Sequence, residues 1–384
     1  MKIKITAHKD FTILKSLLQE YSSVFVVYDR NVEKYAQELN FPALAIEATE
    51  ANKTIGTVID ICNFLLAHHA DRNSLLLAIG GGITTDLAGF AACIFKRGIR
   101  YANVPTTLLA QVDAGIGGKT GCNLDSFKNM LGVIRQPEFT YLSSYTLDSL
   151  PLREFRSGIA EMLKTFIIAS AEDYVKALAF FSKINSLLQA NVGSNASCNK
   201  GAVTIGCLLS RVKAEGTNEE SAFRECLEEL IEKAARIKAG IVEQDADEKG
   251  LRRVLNLGHT YGHAIEWWQQ QNISLANERA GVQEIHSDEK ESTDAQSCLL
   301  KASFTHGEAV ATGIVKIARI SEERGIATKG LAERFRADFQ ACGLPVDLPC
   351  PESQLLDAIA QDKKSENGKV HFVLIQDIGK VVVE

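Results

Sequence analysis

The chain lacks the marks of several protein classes. None of its nine cysteines stands in a C-x-x-C pair, which argues against a cysteine zinc site. Scattered thiols in an odd number also speak against a disulfide framework and suit a reducing compartment. No run approaches the roughly 20 apolar residues of a membrane span, and the opening MKIKITAHKD carries no apolar signal-peptide core. A cytoplasmic protein with no membrane partner is therefore expected. Positive charge is not in excess: 42 Lys and Arg face 48 Asp and Glu, for a formal charge of −6. That disfavours nucleic acid as a partner and leaves room for a local cationic pocket. Internal repeats and long linkers are missing as well.

What is present fits a globular enzyme of more than one core. At 384 residues, with 46% hydrophobic and 23% charged residues, two domains are the natural expectation. Through residue 149 short apolar runs alternate with helical periodicity. VFVVYD (24–29), LLLAIG (75–80) and YANVPTT (101–107) read as strands, and 53–69 and 85–95 as helices. This alternation predicts a Rossmann-like parallel sheet in an α/β domain over 1–149, with ligands at the carboxyl ends of its strands. From 150 to about 345 long amphipathic segments dominate, and the tail KVHFVLIQDIGKVVVE returns to strand-like alternation. A mainly α-helical second domain over 150–384 is expected. Two polar stretches, 186–222 and 270–303, look like insertions of solvated loop with short helices, and no chemistry is assigned to them.

Several motifs could carry chemistry. AIGGGITTD (78–86) sets glycines after a strand and Asp86 at the start of a helix. Such a turn lets backbone amides approach a phosphate, although it is not G-x-G-x-x-G and could be no more than a tight turn. VPTTLLAQVDAGIGGKTGCN (104–123) brings Lys119 into a glycine loop, and FKNMLG follows with Lys128 and Asn129. Lysines in such loops suit an anionic ligand. A P-loop fails here, because Val112 or Asp113 stands where its first glycine is needed. In SGIAEMLKTFIIAS (157–170) Glu161 and Lys164 lie three apart among apolar neighbours. A surface ion pair is the ordinary reading of that spacing, but a buried carboxylate wants a metal or a cation. LNLGHTYGHAIEWW (255–268) places His259 and His263 one helical turn apart, with Thr260 where a gluzincin has glutamate. The pair could be a metal site, half of one, or core packing. His306 enters another apolar helix in HGEAVATGI. Two histidines and a glutamate make a normal catalytic zinc set, and Lys238 and Arg252 lie upstream to complement acidic groups of a ligand.

Taken in order, these stretches resemble the 3-dehydroquinate synthases, a family of sugar phosphate cyclases. The resemblance rests on EANK (50–53), GGGITTDLAGF (80–90), KRGIRYANVPTTLLAQVDAGIGGKTGCN (96–123), FKNMLG (127–132), LPLREFRSGIAEMLK (150–164), GLRRVLNLGHTYGHAIE (250–266), HGEAVATGI (306–314) and DKK (362–364). It implies a phosphate-eliminating lyase that cyclises 3-deoxy-D-arabino-heptulosonate 7-phosphate to 3-dehydroquinate, with catalytic NAD and a divalent metal. Zinc is the expected metal and cobalt a workable substitute. The implied metal ligands are Glu161, His259 and His306, which leaves His263 to face the substrate in proton transfer. NAD contacts fall on Asp29, Glu50, Lys53, Gly82, Asp86, Thr106, Thr107, Lys119, Lys128 and the stretch Thr146, Leu147, Asp148 and Ser149. Substrate phosphate meets Lys119, Asn129, one of Lys363 and Lys364, and Arg97 from a second subunit, which implies a homodimer. The substrate carboxylate meets Lys238 and Arg252, with Asp113, Lys164 and Asn256 nearby.

One departure from the family pattern stands out. Ala114 and Gly115 replace two serines that usually follow the motif aspartate. A similar DAG occurs in sister cyclases acting on sedoheptulose 7-phosphate, yet those lose GGKTG, the second histidine of GHTYGH and the glycine of VATGI, all kept here. Besides such a sister enzyme, the rivals are a metal-dependent polyol dehydrogenase of the glycerol dehydrogenase type and a binding regulator without turnover.

Overall fold

The computed structural model describes residues 3–6, 10–125, 127–192, 204–207, 219–246, 248, 250–279, 303–356, 358–359 and 372–384. It divides into two compact units, Met1–Thr165 with Leu187–Arg252, and Phe166–Ser186 with Arg253–Glu384. The units therefore do not follow a single boundary at 149/150. Residues 150–165 and 187–252 belong with the sheet, because their helices and turns bond to its loops, as described below.

In the first unit six strands form one sheet. They are β1 (Ile3–Thr6), β2 (Val24–Asp29), β3 (Ala43–Ile46), β4 (Leu75–Gly80), β5 (Arg100–Pro105) and β8 (Thr140–Ser143), in the order β1-β8-β5-β4-β2-β3. Every neighbouring pair is parallel. All six residues of β4 are buried, as a strand covered on both faces requires. The period-two alternation sorts the side chains. Phe25, Val27, Leu76 and Ala78 face one core with Val58, Ile61 and Leu65 of α3 (Ile55–Ala67) and Leu87, Ala88 and Ala91 of α4 (Gly82–Ile94). Val24, Val26, Leu75 and Leu77 face the other, with Phe11, Leu14 and Leu18 at α1 (Thr12–Leu18) and Tyr35 of α2 (Glu33–Gln37). The chain runs outward from β2 to β3 and then crosses to the other side of β2 for β4. The β2/β4 border is thus a topological switch point, where ligands of open α/β sheets bind.

A hairpin of β6 (Lys119–Leu124) and β7 (Phe127–Ile134) stands apart from this sheet. The unit also takes in most of α5 (Leu152–Ala169) and the long α7 (Glu219–Gln244).

The second unit is mainly helical. It contains most of α6 (Ala171–Val192), then α8 (His259–Arg279), α9 (His306–Glu323), α10 (Leu331–Ala341) and a terminal hairpin of β9 (Val373–Asp377) and β10 (Lys380–Val383). Tyr174 on α6 donates to Asp338 on α10 at 2.9 Å, and the amide of Ile375 donates to Ser321 at 3.0 Å, pinning the hairpin to α9. No described helix is long and apolar enough to cross a membrane.

Candidate active site

At the switch point, Asp29 closes β2 and accepts from the amide and side chain of Asn31, both at 3.0 Å. Helix α4 starts at Gly82, so Asp86 lies a turn inside it and not at its first residue. Its first turn carries no acidic residue, and Gly81 provides no side-chain cap. Amides at that helix start are therefore free of a capping side chain, which fits the pyrophosphate of a dinucleotide. Thr106 is buried just after β5, its amide donating to the Gly80 carbonyl at 2.9 Å. Thr107 accepts from the Ala110 amide at 3.1 Å. The buried Lys53 bridges Asp86 at 2.6 Å and Asn129 at 2.5 Å. Burial pushes the Asp86 carboxyl above its usual range, and Lys53 only partly opposes this.

The expected cofactor stretch after β8 is fixed from several sides. Thr146 donates to Ser143 at 2.8 Å and Leu147 is fully buried, while Ser149 is half-buried. Arg224 of α7 clamps both oxygens of Asp148 at 3.0 and 3.2 Å. Glu228, one turn on, accepts from Ser144. The amide of Gly206 donates to the Asp148 carbonyl at 3.0 Å, and Thr204 bridges to Pro151. The described part of the first insertion is accordingly packed against a site loop, not solvated throughout.

Beside these loops sits a buried charge network. Asp113 lies in a single π turn, Ala110–Ala114, closed by the Gly115 amide on the Ala110 carbonyl at 2.9 Å. A Cβ at Gly115 would come within 2.7 Å of that carbonyl oxygen, so this turn as built excludes a serine there. Lys238 on α7 donates to the Asp113 carboxylate and to its backbone carbonyl, each at 2.7 Å. Lys164 lies 3.9 Å from Asp113 and 2.5 Å from Glu161, one turn earlier on α5. Glu161 and Lys164 are 0% and 1% exposed, so the surface reading of their spacing is excluded. Burial opposes charge on Asp113, but Lys238 and Lys164 outweigh it and hold its carboxyl below the usual range. Burial likewise opposes charge on Lys164, and Glu161 with Asp113 outweighs it, so its ammonium is held more firmly than usual. For Lys238 burial wins over Asp113, and its pKa is depressed. Glu161, Lys164 and Lys238 thus persist out of water, with the partly exposed Asp113 at their edge, because opposite charges neutralise one another.

Arg252 is 3% exposed, and its guanidinium donates to the carbonyls of Gly117 at 3.1 Å and Ala246 at 3.0 Å. No carboxylate among the described residues pairs with that guanidinium. Lys119, on the same glycine loop, is half exposed and pairs with Glu248. Lys128 and Asn129 lie exposed on β7, Asn129 with φ of +55°. Arg97 is exposed on the turn after α4, and Asn256 is exposed in the second unit. Lys363 and Lys364 lie outside the described residues.

In the second unit the histidines share one place. His259 is the first residue of α8 and His306 the first of α9, and their ring centroids are 5.3 Å apart. Close helix approach accounts for this. A Cβ at Gly313 would fall 2.1 Å from the Gly258 carbonyl oxygen, and one at Gly258 2.7 Å from Ile314. Gly258 at the start of α8 thus packs against Gly313 and Ile314, two turns into α9, and Gly262 packs against Val310, so the first turns of the two helices lie side by side. Thr305 and Glu308 form a capping box that fixes the start of α9. Nδ1 of His259 is 3.2 Å from the Leu257 carbonyl, an acceptor. That contact makes Nδ1 the donor and frees Nε2 as a ligand. His263 lies one turn on, exposed, its ring 5.3 Å from that of His259.

The family model for the 3-dehydroquinate synthase N-terminal region matches residues 43–157, and that for the C-terminal region matches 207–275 and 294–365. A 3-dehydroquinate synthase from Acidithiobacillus ferrooxidans is 34% identical over 365 residues, covering 94% of this chain and 82% of its own. The chain belongs to the 3-dehydroquinate synthase family. Its fold is also that of related cyclases. ValA, the 2-epi-5-epi-valiolone synthase of Streptomyces hygroscopicus subsp. jinggangensis, solved with NAD+ and Zn2+ bound, has a TM-score of 0.70 at 23% identity, covering 100% of this chain and 92% of that one. A 2-deoxy-scyllo-inosose synthase complexed with carbaglucose-6-phosphate, NAD+ and Co2+ has a TM-score of 0.71 at 22% identity, covering 100% and 91%.

The C-terminal family match breaks between 275 and 294, inside the second polar stretch marked as an insertion. Its first ten residues continue α8, and 280–302 lie outside the described residues. Sequence reasoning missed Arg224 and Glu228. Both sit in a helix rich in charges of both signs, where no spacing distinguishes a clamp from a solvated ion pair.

Proposed function

We propose that this protein is a 3-dehydroquinate synthase, eliminating phosphate from 3-deoxy-D-arabino-heptulosonate 7-phosphate and closing the carbocycle. The observation that carries the reading is Arg252, a buried guanidinium that meets backbone carbonyls and, among the described residues, no carboxylate. A buried cation of that kind calls for an anion from the ligand, and the sugar acid carries one. Arg252 and Lys238 then hold the substrate carboxylate. Lys119, Asn129, one of Lys363 and Lys364, and Arg97 of a second subunit in a homodimer hold the phosphate. Glu161, His259 and His306 are the residues suited to a divalent metal, with zinc favoured by a His₂Glu donor set and cobalt a workable substitute.

When bound, NAD takes up and gives back the C5 hydride, and the metal polarises the reacting alcohol. The chain's own residues hold the substrate in line for those steps. Asp86, Lys53 and the α4 amides orient the cofactor. His263 handles the proton of the reacting hydroxyl, and Lys164 orients Glu161 through their ion pair. Oxidation at C5 acidifies the neighbouring C–H. Loss of that proton expels phosphate from the next carbon, and the ketone is reduced again before ring opening and aldol closure. Net redox is zero.

The test supplies the purified protein with NAD, zinc and the heptulosonate phosphate, and follows phosphate and NADH together. Phosphate release without net NADH is expected. Equimolar NADH would reassign the protein as a dehydrogenase. Sedoheptulose 7-phosphate, which lacks the carboxylate, should fall short in kcat/KM by about 10⁴ or more. Equal use of both sugars would reassign it to the sister cyclases, to which Ala114 and Gly115 point.

A further inference from the structure

A residue outside every ligand contact named above joins two loops of the first unit. Asn123 sits on β6 where the register with β7 slips between Cys122 and Leu124. A slip of this kind re-aims a side chain out of the ladder. The Asn123 side chain donates to the Glu50 carboxylate at 2.8 Å, and its oxygen accepts from the Asn129 amide at 2.9 Å. Its own amide donates to the Lys53 carbonyl at 2.8 Å. Lys53 closes the ring, reaching Asn129 from the other side at 2.5 Å while holding Asp86 at 2.6 Å. One asparagine thus spans the Glu50–Lys53 loop, expected against the cofactor, and the Asn129 turn, expected against the substrate phosphate.

We infer that Asn123 is a positioning residue that couples dinucleotide binding to anion binding. The inference rests on the reading given under Proposed function. Asn129 holds a left-handed backbone, φ of +55°, which asparagine adopts more readily than other side chains and which the bond to its amide helps select. Asn123 supplies the bond to its amide. A ligand that orders the Glu50–Lys53 loop therefore also orders the Asn129 turn, and the second ligand meets a prearranged site. Such coupling is reciprocal and typically 5- to 150-fold.

The experiment is equilibrium titration of the zinc-loaded full chain with NAD+, with and without saturating inorganic phosphate, and the reverse titration. Wild type should bind NAD+ at least about 5-fold tighter with phosphate present. In Asn123→Ala that ratio should collapse to about one. Its KM for the sugar phosphate should rise about tenfold, while kcat changes much less, which a merely structural role would not produce. Asn123→Asp keeps the acceptor for the Asn129 amide and turns its other oxygen against Glu50. It should retain phosphate affinity and lose the coupling. Wild-type ratios in both variants would overturn the inference and leave the functional reading standing. A wild-type protein that binds neither NAD+ nor phosphate would overturn both.

Discussion

The two units build their chemistry from different materials. In the first, the candidate residues sit on loops after strands and on two helices, and they are held by charge: the partly exposed Asp113 and the buried Lys238, Lys164 and Glu161 neutralise one another. In the second, they sit at helix starts and are held by backbone approach, with Gly258 and Gly313 bringing α8 and α9 into close contact. The first arrangement is sensitive to the loss of one charge. The second is sensitive to the gain of one methyl group. This contrast can be broken or sharpened by substitution.

The largest effect is expected at the proposed metal ligands. Glu161→Ala and His259→Ala should each remove bound metal and lower turnover by more than about 100-fold, since even outer partners of a ligand cost 10–100-fold. His263→Ala should keep stoichiometric metal and lose turnover alone. Metal analysis beside activity decides this, and metal loss in His263→Ala would make it a ligand.

Next comes the charge network. Lys164→Met removes the ammonium 2.5 Å from the buried Glu161 carboxylate while Lys238 still holds Asp113, and urea unfolding should register a loss of about 3–5 kcal/mol. A change under about 1 kcal/mol would show that water reaches those groups, as at an exposed pair.

The glycine contact should respond more mildly. Gly313→Ala forces α8 and α9 apart and should cost about 1–3 kcal/mol, with weaker metal binding. Gly240→Ala in α7, where a Cβ meets nothing within 4 Å, should instead stabilise by about 0.5–1 kcal/mol. Equal effects at the two glycines would remove close approach as the explanation.

The smallest effect concerns pH. The Asp113 carboxyl is held below its usual range in the folded chain, against burial, by Lys238 and Lys164. Its contribution to stability is therefore complete above the unfolded carboxyl pKa of about 3.9 and lost as pH falls through the lower folded value. Asp113→Asn should flatten the acid limb of stability below about pH 4. An unchanged slope there would show that other carboxylates set it.

Much of the fold is legible in the chain. The apolar runs LLLAIG and VFVVYD announce strands of a parallel sheet, and β4 and β2 occupy those residues. The tail alternation becomes β9 and β10. Helix starts are read less well. The glycines of GGGITTD mark a turn, but only the backbone shows that α4 begins at Gly82 and takes Asp86 inside it. The partition into units was not legible either. Long-range bonds decide it, such as Lys238 to Asp113 and Gly206 to Asp148, and amphipathic periodicity records only that a helix has a partner.

By itself, then, the sequence determined the residue types of the candidate site and their family: histidines at apolar helix starts, lysines in glycine loops, and a glutamate and lysine one turn apart. Side-chain chemistry and local periodicity are written in the order of residues, so these could be read directly. Only the tertiary structure decided that Glu161 and Lys164 are buried and not at the surface, that Arg252 meets carbonyls and no carboxylate among the described residues, and that Asn123 spans two loops. Burial and partner choice depend on what long-range packing removes from water, and that is a property of the folded chain as a whole.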